Sequence, residues 1–207
     1  VIRKAELKDK TDISRLHYMA APNIFNYFFA STEKTALEIL DRLYEKPDTI
    51  FSKDFFWVNE ENGTIKGAIS IFPGEEEKLL EKNIGKYGRE LAQIMGFFAV
   101  VKMIFRSSLN KILPTINDDE LYIQALAVFP EYRGQRIASP LLRHALDYTR
   151  QIKLTRVSLL VEIPNDHALM VYKKYGFRIT TTQKFKSKHR KHRLYGVHKM
   201  VAELPKN

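Results

Sequence analysis

Apolar residues recur along this chain in short blocks whose period switches between two and about three and a half, so its order of strands and helices can be read directly. Ile2–Leu7 alternates as an opening strand, and a helix is expected to begin at Asp9–Leu16, where Asp or Thr can cap it. A second helix is predicted over Thr32–Tyr44. Phe55–Asn59 and Thr64–Phe72 read as strands of a hairpin turning at Asn62-Gly63, a pair suited to a two-residue turn. Glu75–Lys111 has helical spacing, with a break expected near Asn83–Gly88 and an end before Pro114. Then follow a strand at Glu120–Val128, a helix at Ala138–Ile152, a strand at Val157–Val161, a helix at Asp166–Tyr175, and strands at Phe177–Phe185 and Tyr195–Ala202. No repeat or Gly/Ser linker interrupts this order, so one domain is expected over residues 1–207.

The most informative join is the one after the Glu120–Val128 strand. Pro130 stops the strand, and Arg133, Gly134, Gln135, Arg136, Ile137 and Ala138 form a basic, glycine-containing turn that leads through Ser139 into the next helix. Pro140 sits near the first turn of that helix, where a missing N–H does no harm. The free amides and positive dipole end of the helix point back at the turn, an arrangement that attracts a pyrophosphate. Further on, the Val157–Val161 strand ends at Pro164, Asn165 or Asp166 caps a short helix, and Gly176 stands where a left-handed residue closes it.

Together these stretches resemble the GNAT superfamily of acetyl-CoA-dependent N-acetyltransferases. The family signature Gln/Arg-x-x-Gly-x-Gly/Ala is met by Arg133 and Ala138 at its ends, with Arg136 in place of the middle glycine. The downstream pattern is met by Asn165, Ala168, Tyr172, Gly176 and Phe177. The resemblance implies a mixed twisted α/β sheet with helices on both faces, split in a V between its fourth and fifth strands. The helical segment 75–116 is then an insertion between strands three and four, serving as extra core, a homodimer surface, or one wall of an acceptor pocket.

The resemblance also implies roles. Backbone groups near Leu126 and Val128 would pair with the pantetheine of acetyl-CoA, and the amides of Arg133–Ser139 would hold its pyrophosphate, an Arg136 guanidinium adding a phosphate contact. Tyr172 would protonate the departing thiolate. Asn165 would bond pantetheine, orient the acceptor, or simply cap its helix. The inward position where the family often carries a glutamate base is Tyr122, which leaves Glu120 and Glu162 as base candidates. An uncertain base and Arg136 also suit a catalytically degenerate acyl-CoA-binding module with a regulatory role. In this family the region between the first two helices commonly lines the acceptor side, so Phe25, Tyr27 and Phe28 are expected to wall the amine pocket, with part of 75–116 opposite.

Charge and composition narrow the partners. The net charge of +10 implies anionic ligands, and coenzyme A is one. The densest cationic run, Lys184–Arg193, reads as a solvated hairpin loop, as a contributor to donor or acceptor binding, or as a patch for nucleic acid or a membrane surface. Nucleic acid is not expected, since the run lacks the interleaved aromatic residues of single-strand binders. Without cysteine there is no thiolate metal site, no cysteine nucleophile and no disulfide. The histidines have no metal-ligand spacing, so no metal is expected. The run Leu91–Phe105 contains Gln93 and Lys102, falls short of a membrane span and reads as a buried helix. No secretory leader precedes Lys4, and a cytoplasmic location is expected.

Overall fold

The computed structural model describes residues 1–205. Its strands are β1 (Ile2–Lys4), β2 (Phe56–Glu61), β3 (Thr64–Pro73), β4 (Glu120–Val128), β5 (Arg156–Glu162), β6 (Arg178–Lys184) and β7 (Gly196–Glu203). They form one sheet in the order β1-β2-β3-β4-β5-β7-β6. Only β4 and β5 run parallel; the other neighbours are antiparallel. The helices are α1 (Lys10–Ala20), α2 (Pro22–Phe28), α3 (Glu33–Tyr44), α4 (Glu77–Asn83), α5 (Gly88–Met95), α6 (Phe97–Arg106), α7 (Ala138–Gln151), α8 (Asp166–Lys174) and α9 (Ser187–Arg190). This is the mixed sheet the resemblance implies, with helices on both faces.

Alternation along the strands decides which helices cover which face. Ile69 and Ile71 of β3, Leu121 and Ile123 of β4, and Val157, Leu159 and Val161 of β5 pack with Leu141, Leu142 and Ala145 of α7 in the main core. Ala168, Leu169 and Tyr172 bring α8 onto the same cluster, with Tyr175 just past its end. On the opposite face, Ile13 and Leu16 of α1 cover Phe56, Val58 and Ala68. Further along that face, Leu80 of α4 covers Phe72, Tyr122 and Leu160.

Several boundaries differ from expectation. The first strand stops at Lys4 because Asp9 accepts the Glu6 N–H (2.8 Å) and holds the Arg3 guanidinium (2.6 Å), which turns Leu7–Asp9 into a tight helical turn. The 75–116 insertion has a second break, at Gly96 with φ +84°, so the expected buried helix Leu91–Phe105 is two helices. Leu91 is buried, but Phe97, Phe98 and Phe105 are exposed. The 184–193 run is only partly a solvated loop: α9 forms within it, and His189 is buried between Tyr27 (ring centroids 5.5 Å apart) and Phe185 (6.1 Å). The Asn62-Gly63 hairpin is as expected, with both residues at positive φ (52° and 76°).

Candidate active site

The strand pair β4–β5 is a fork. Its register runs from Glu120 opposite Arg156 to Ile123 opposite Leu159 and stops there. Beyond that point β4 keeps β3 as a partner through Ala125–Val128, and β5 keeps β7 through Leu160–Glu162, so the strands have parted. At the parting, β4 carries a bulge: Ile71 faces Ile123 and Ser70 faces Ala125, leaving Gln124 as the extra residue. Its side-chain oxygen accepts from the Ser70 hydroxyl at 3.1 Å. The β5-facing backbone of Leu126 and Val128 thus has no strand partner among the described residues and is open to an extended ligand. The Arg133 side chain donates to the Val128 carbonyl at 3.3 Å across this edge.

The turn after β4 is a nest of amides. Arg133, Gln135 and Ser139 spend their N–H groups inside it, on the carbonyls of Pro130, Tyr132 and Arg136. The N–H groups of Gly134, Arg136, Ile137 and Ala138 have no acceptor among the described residues. Gly134 (φ +78°) and Arg136 (φ +62°) both take left-handed backbone, which turns successive amides to one side. Arg136 therefore occupies a glycine-type conformation, at a cost of about 1 kcal/mol. Gly67 on β3 lets this region close: a Cβ there would stand 2.8 Å from the Ala127 carbonyl oxygen and 3.2 Å from Ile137. The signature pattern did not point to Gly67, because its need is visible only once β3 and β4 are paired.

Tyr172 of α8 is partly buried beside Phe177, with ring centroids 5.7 Å apart. Burial pushes its phenol up to about 12. Asn165 is the helix cap, its side-chain oxygen accepting from Ala168 N–H at 3.2 Å, so that oxygen is committed to α8.

Glu120 does not belong to the open part of the fork. It is 1% exposed at the closed end of the strand pair, 2.8 Å from Lys199, and accepts from Asn117 N–H (3.1 Å) and Nδ2 (2.7 Å). Burial alone would raise its pKa, but Lys199 and Asn117 hold it below the usual carboxylate range. A carboxylate held this way is engaged as an anion in its ion pair, whereas the sequence alone offered it as the base. A cavity of about 780 Å³ at this same closed end is lined by Glu120, Arg156, Arg178 and Lys199 and lies away from the fork.

Other carboxylates take the opposite shift. Glu162, at the outer end of β5, is raised by burial, with Asn23 of α2 opposing, and its Oε1 has no partner among the described residues. Glu77 and Glu81 lie one turn apart on α4, on either side of Leu80. Burial, helped by Glu81, pushes Glu77 up to about 7, and burial also raises Glu81. The Tyr122 phenol is raised first by burial and then by the charges of Glu77, Glu81 and Tyr172. The signal for Glu77 and Glu81 in the sequence was their i,i+4 spacing on the insertion.

The aromatic segment divides. Tyr27 and the partly buried Phe28 pack with Phe185, Leu109 and Val197. Phe25 instead stacks on Phe29 (5.9 Å) inside a separate core with Ile39, Leu40 and Leu91. Phe25 is core, Tyr27 belongs to the other cluster, and Phe28 packs against both.

A family model described as the acetyltransferase (GNAT) family matches residues 22–177. A Bacillus subtilis (strain 168) protein provisionally named a ribosomal protein bS18-alanine N-acetyltransferase is 37% identical over 60 residues, 29% of this chain and 40% of its own. N-alpha-acetyltransferase 30 of Schizosaccharomyces pombe (strain 972 / ATCC 24843) is 38% identical over 56 residues, 27% of this chain and 37% of its own. The chain thus spans well under half the length of these curated relatives. The crystal structure of an N-acetyltransferase from Staphylococcus aureus Mu50 superposes with a TM-score of 0.70 at 23% identity, covering 98% of this chain and all of that one, and so shares the fold.

Proposed function

Since the chain belongs to the GNAT acetyltransferase family, we propose that it is an N-acetyltransferase moving the acetyl group of acetyl-CoA to a primary amine by direct attack within one ternary complex. The observation that carries this is the conjunction of the unpaired β4 edge at Leu126–Val128 with the free amides of Gly134 and Arg136–Ala138. An extended chain ending in a pyrophosphate fits that conjunction. The Arg136 and Arg133 guanidinium groups add positive charge at its mouth, and Asn165 contributes through its cap to the placing of Tyr172.

In the proposed reaction the neutral amine attacks the thioester carbon, a C–N bond forms, the C–S bond breaks, and the sulfur leaves with its electron pair. Tyr172 supplies a proton to that thiolate. A thiol of pKa about 8.5 takes it from a phenol pushed up to about 12 only when held in a prepositioned contact. The amine's proton goes to a carboxylate, and Glu77, poised near neutrality, suits this better than the ion-paired Glu120. Glu162 and Glu81 draw the cationic amine into the same face of the sheet.

The acceptor favoured here is the α-amino group of a peptide. Tyr27, Phe28 and Ile24 present an apolar wall for its body, and an amine of pKa about 8 loses its proton more readily than a lysine near 10.4. Titration calorimetry with acetyl-CoA, followed by thiol release against peptides, polyamines and aminoglycosides, tests the reading. Tyr172→Phe is expected to slow turnover by roughly one to four orders of magnitude with cofactor affinity nearly unchanged. Tight acetyl-CoA binding with no transfer to any amine would leave a binding module instead.

A further inference from the structure

The helix α6 carries an apolar face that the other described residues leave uncovered. Val100 and Met103 turn inward onto the core that holds Leu91, and Arg106 reaches back to donate to the Tyr27 carbonyl while lying over its ring at 4.7 Å. These contacts fix which side of the helix looks out. That side presents Phe97 (69% exposed), Phe98 (86%), Ile104 and Phe105, with the half-buried Val101 among them. Helical geometry makes these a continuous stripe, since positions 97, 101, 104, 105 and 98 are neighbours around the axis. The same insertion also exposes Leu79 and Ile112.

One flank of the stripe is cationic. Lys102 is exposed beside it, and burial, with the charges of Arg106, Lys191 and Lys102, holds the ring of His192 below its usual range. The 184–193 run, with exposed Lys186, Lys188, Arg190, Lys191 and Arg193, therefore adjoins α6, joined to it through Tyr27, which touches both His192 (5.1 Å) and Arg106. An apolar stripe edged by cations on a chain of net charge +10 matches one kind of partner. We propose that α6 and the 184–193 run form a docking surface for an anionic lipid bilayer, with Phe97, Phe98 and Phe105 entering the acyl boundary and the lysines and arginines resting on the headgroups. Charge complementarity selects this occupant. A second copy would bring cationic flanks together, and a nucleic acid would leave the aliphatic Val101 and Ile104 without a function.

Cosedimentation of the full chain with vesicles of phosphatidylcholine alone and of an equimolar phosphatidylcholine–phosphatidylglycerol mixture tests this. Binding to the mixed vesicles, and little to the neutral ones, is expected. Phe98→Ser and Phe105→Ser are each expected to weaken partitioning roughly tenfold, and Lys188→Glu with Lys191→Glu to weaken it by a similar factor and remove its salt dependence. None of these side chains belongs to the fork, so thiol release in the absence of vesicles should not change, and near-wild-type melting shows that the variants are folded. Absence of binding to anionic vesicles overturns the proposal. So does a dimer in solution that Phe98→Ser dissociates, without lipid binding, which assigns the stripe to self-association. Oligonucleotide binding that survives both Phe variants, again without lipid binding, assigns the basic run to nucleic acid.

Discussion

The Lys199 ammonium lies 2.8 Å from a Glu120 carboxylate oxygen, with side chains only 6% and 1% exposed. The pair joins β4 to β7 across β5 on the face beneath α4. Lys199 also donates to the Thr115 carbonyl at 2.7 Å, and Glu120 is further satisfied by Asn117, so the pair is fully bonded as well as buried. Removing one partner strands the other charge, at a cost of about 3–5 kcal/mol. Lys199→Met is expected to lose that much stability in denaturant unfolding. Glu120→Gln should lower the melting temperature while leaving kcat of the remaining folded enzyme near wild type. A large loss of kcat at unchanged stability would restore Glu120 to the chemistry. Because the folded-state pKa of Glu120 is depressed, its contribution is present above the ordinary carboxylate range and is lost as pH falls through it.

Gly67 is the second test of the fork. A Cβ there meets the Ala127 carbonyl at 2.8 Å and Val128 at 3.1 Å, so Gly67→Ala must push β3 away from β4. Overpacking of this kind costs about 1–3 kcal/mol. Since Ile137 is also within 3.2 Å, the shift should reach the amide nest and weaken acetyl-CoA binding in calorimetry. A variant that melts lower yet binds acetyl-CoA as tightly would uncouple Gly67 from the turn.

Activity and stability should respond to Glu77 in opposite senses. With a pKa pushed up to about 7, the carboxylate becomes a base only as pH rises through that value, so kcat/KM should climb across it. A group raised in the folded state binds its proton more tightly there, so its contribution to stability falls over the range from the ordinary carboxylate value up to about 7. Glu77→Gln should therefore flatten the rate profile and be most stabilising at alkaline pH. A profile unchanged in Glu77→Gln but flattened in Glu162→Gln would move the base to β5.

His17 gives an acid limit to the fold. It is 4% exposed among Phe25, Phe51 and Phe56, and burial pushes its pKa down to about 3. The unfolded chain protonates this histidine near pH 6.5 while the folded one refuses the proton, so stability is complete above that value and drains as pH falls toward 3. The slope is at most about 1.4 kcal/mol per pH unit. His17→Leu should remove it, measured as the difference in unfolding free energy between about pH 7 and pH 5.

What the chain disclosed in advance was whatever depends on local rules. Asn62-Gly63 announced its turn, Pro130 its strand end and Gly176 its helix end, and the spacing of Asn165, Ala168 and Tyr172 placed them along one capped helix. Pairings between distant segments were not legible. Glu120 looked available because its partner Lys199 is far along the chain, and Phe25 and Tyr27 looked equivalent although α2 sends them into different cores. The long apolar run hid the break at Gly96, because a single left-handed residue leaves the hydrophobic count unchanged and alters only which residues face out.

The extra residue at Gln124 acts as a change of phase in the strand. Leu121 and Ile123 point to the α7 side as odd positions, yet past the bulge it is the even-numbered Leu126 that joins them there, opposite Ile69. Ala127, which would otherwise have shared their side, meets the α1 core instead. A strand that ran regularly through Gln124 would turn every side chain between Ala125 and Val128 over, together with the backbone edge offered to a ligand. The bulge thus sets which way the far half of β4 presents itself to the amide nest, and the faces from Ala125 to Val128 depend on Gln124 staying outside the ladder.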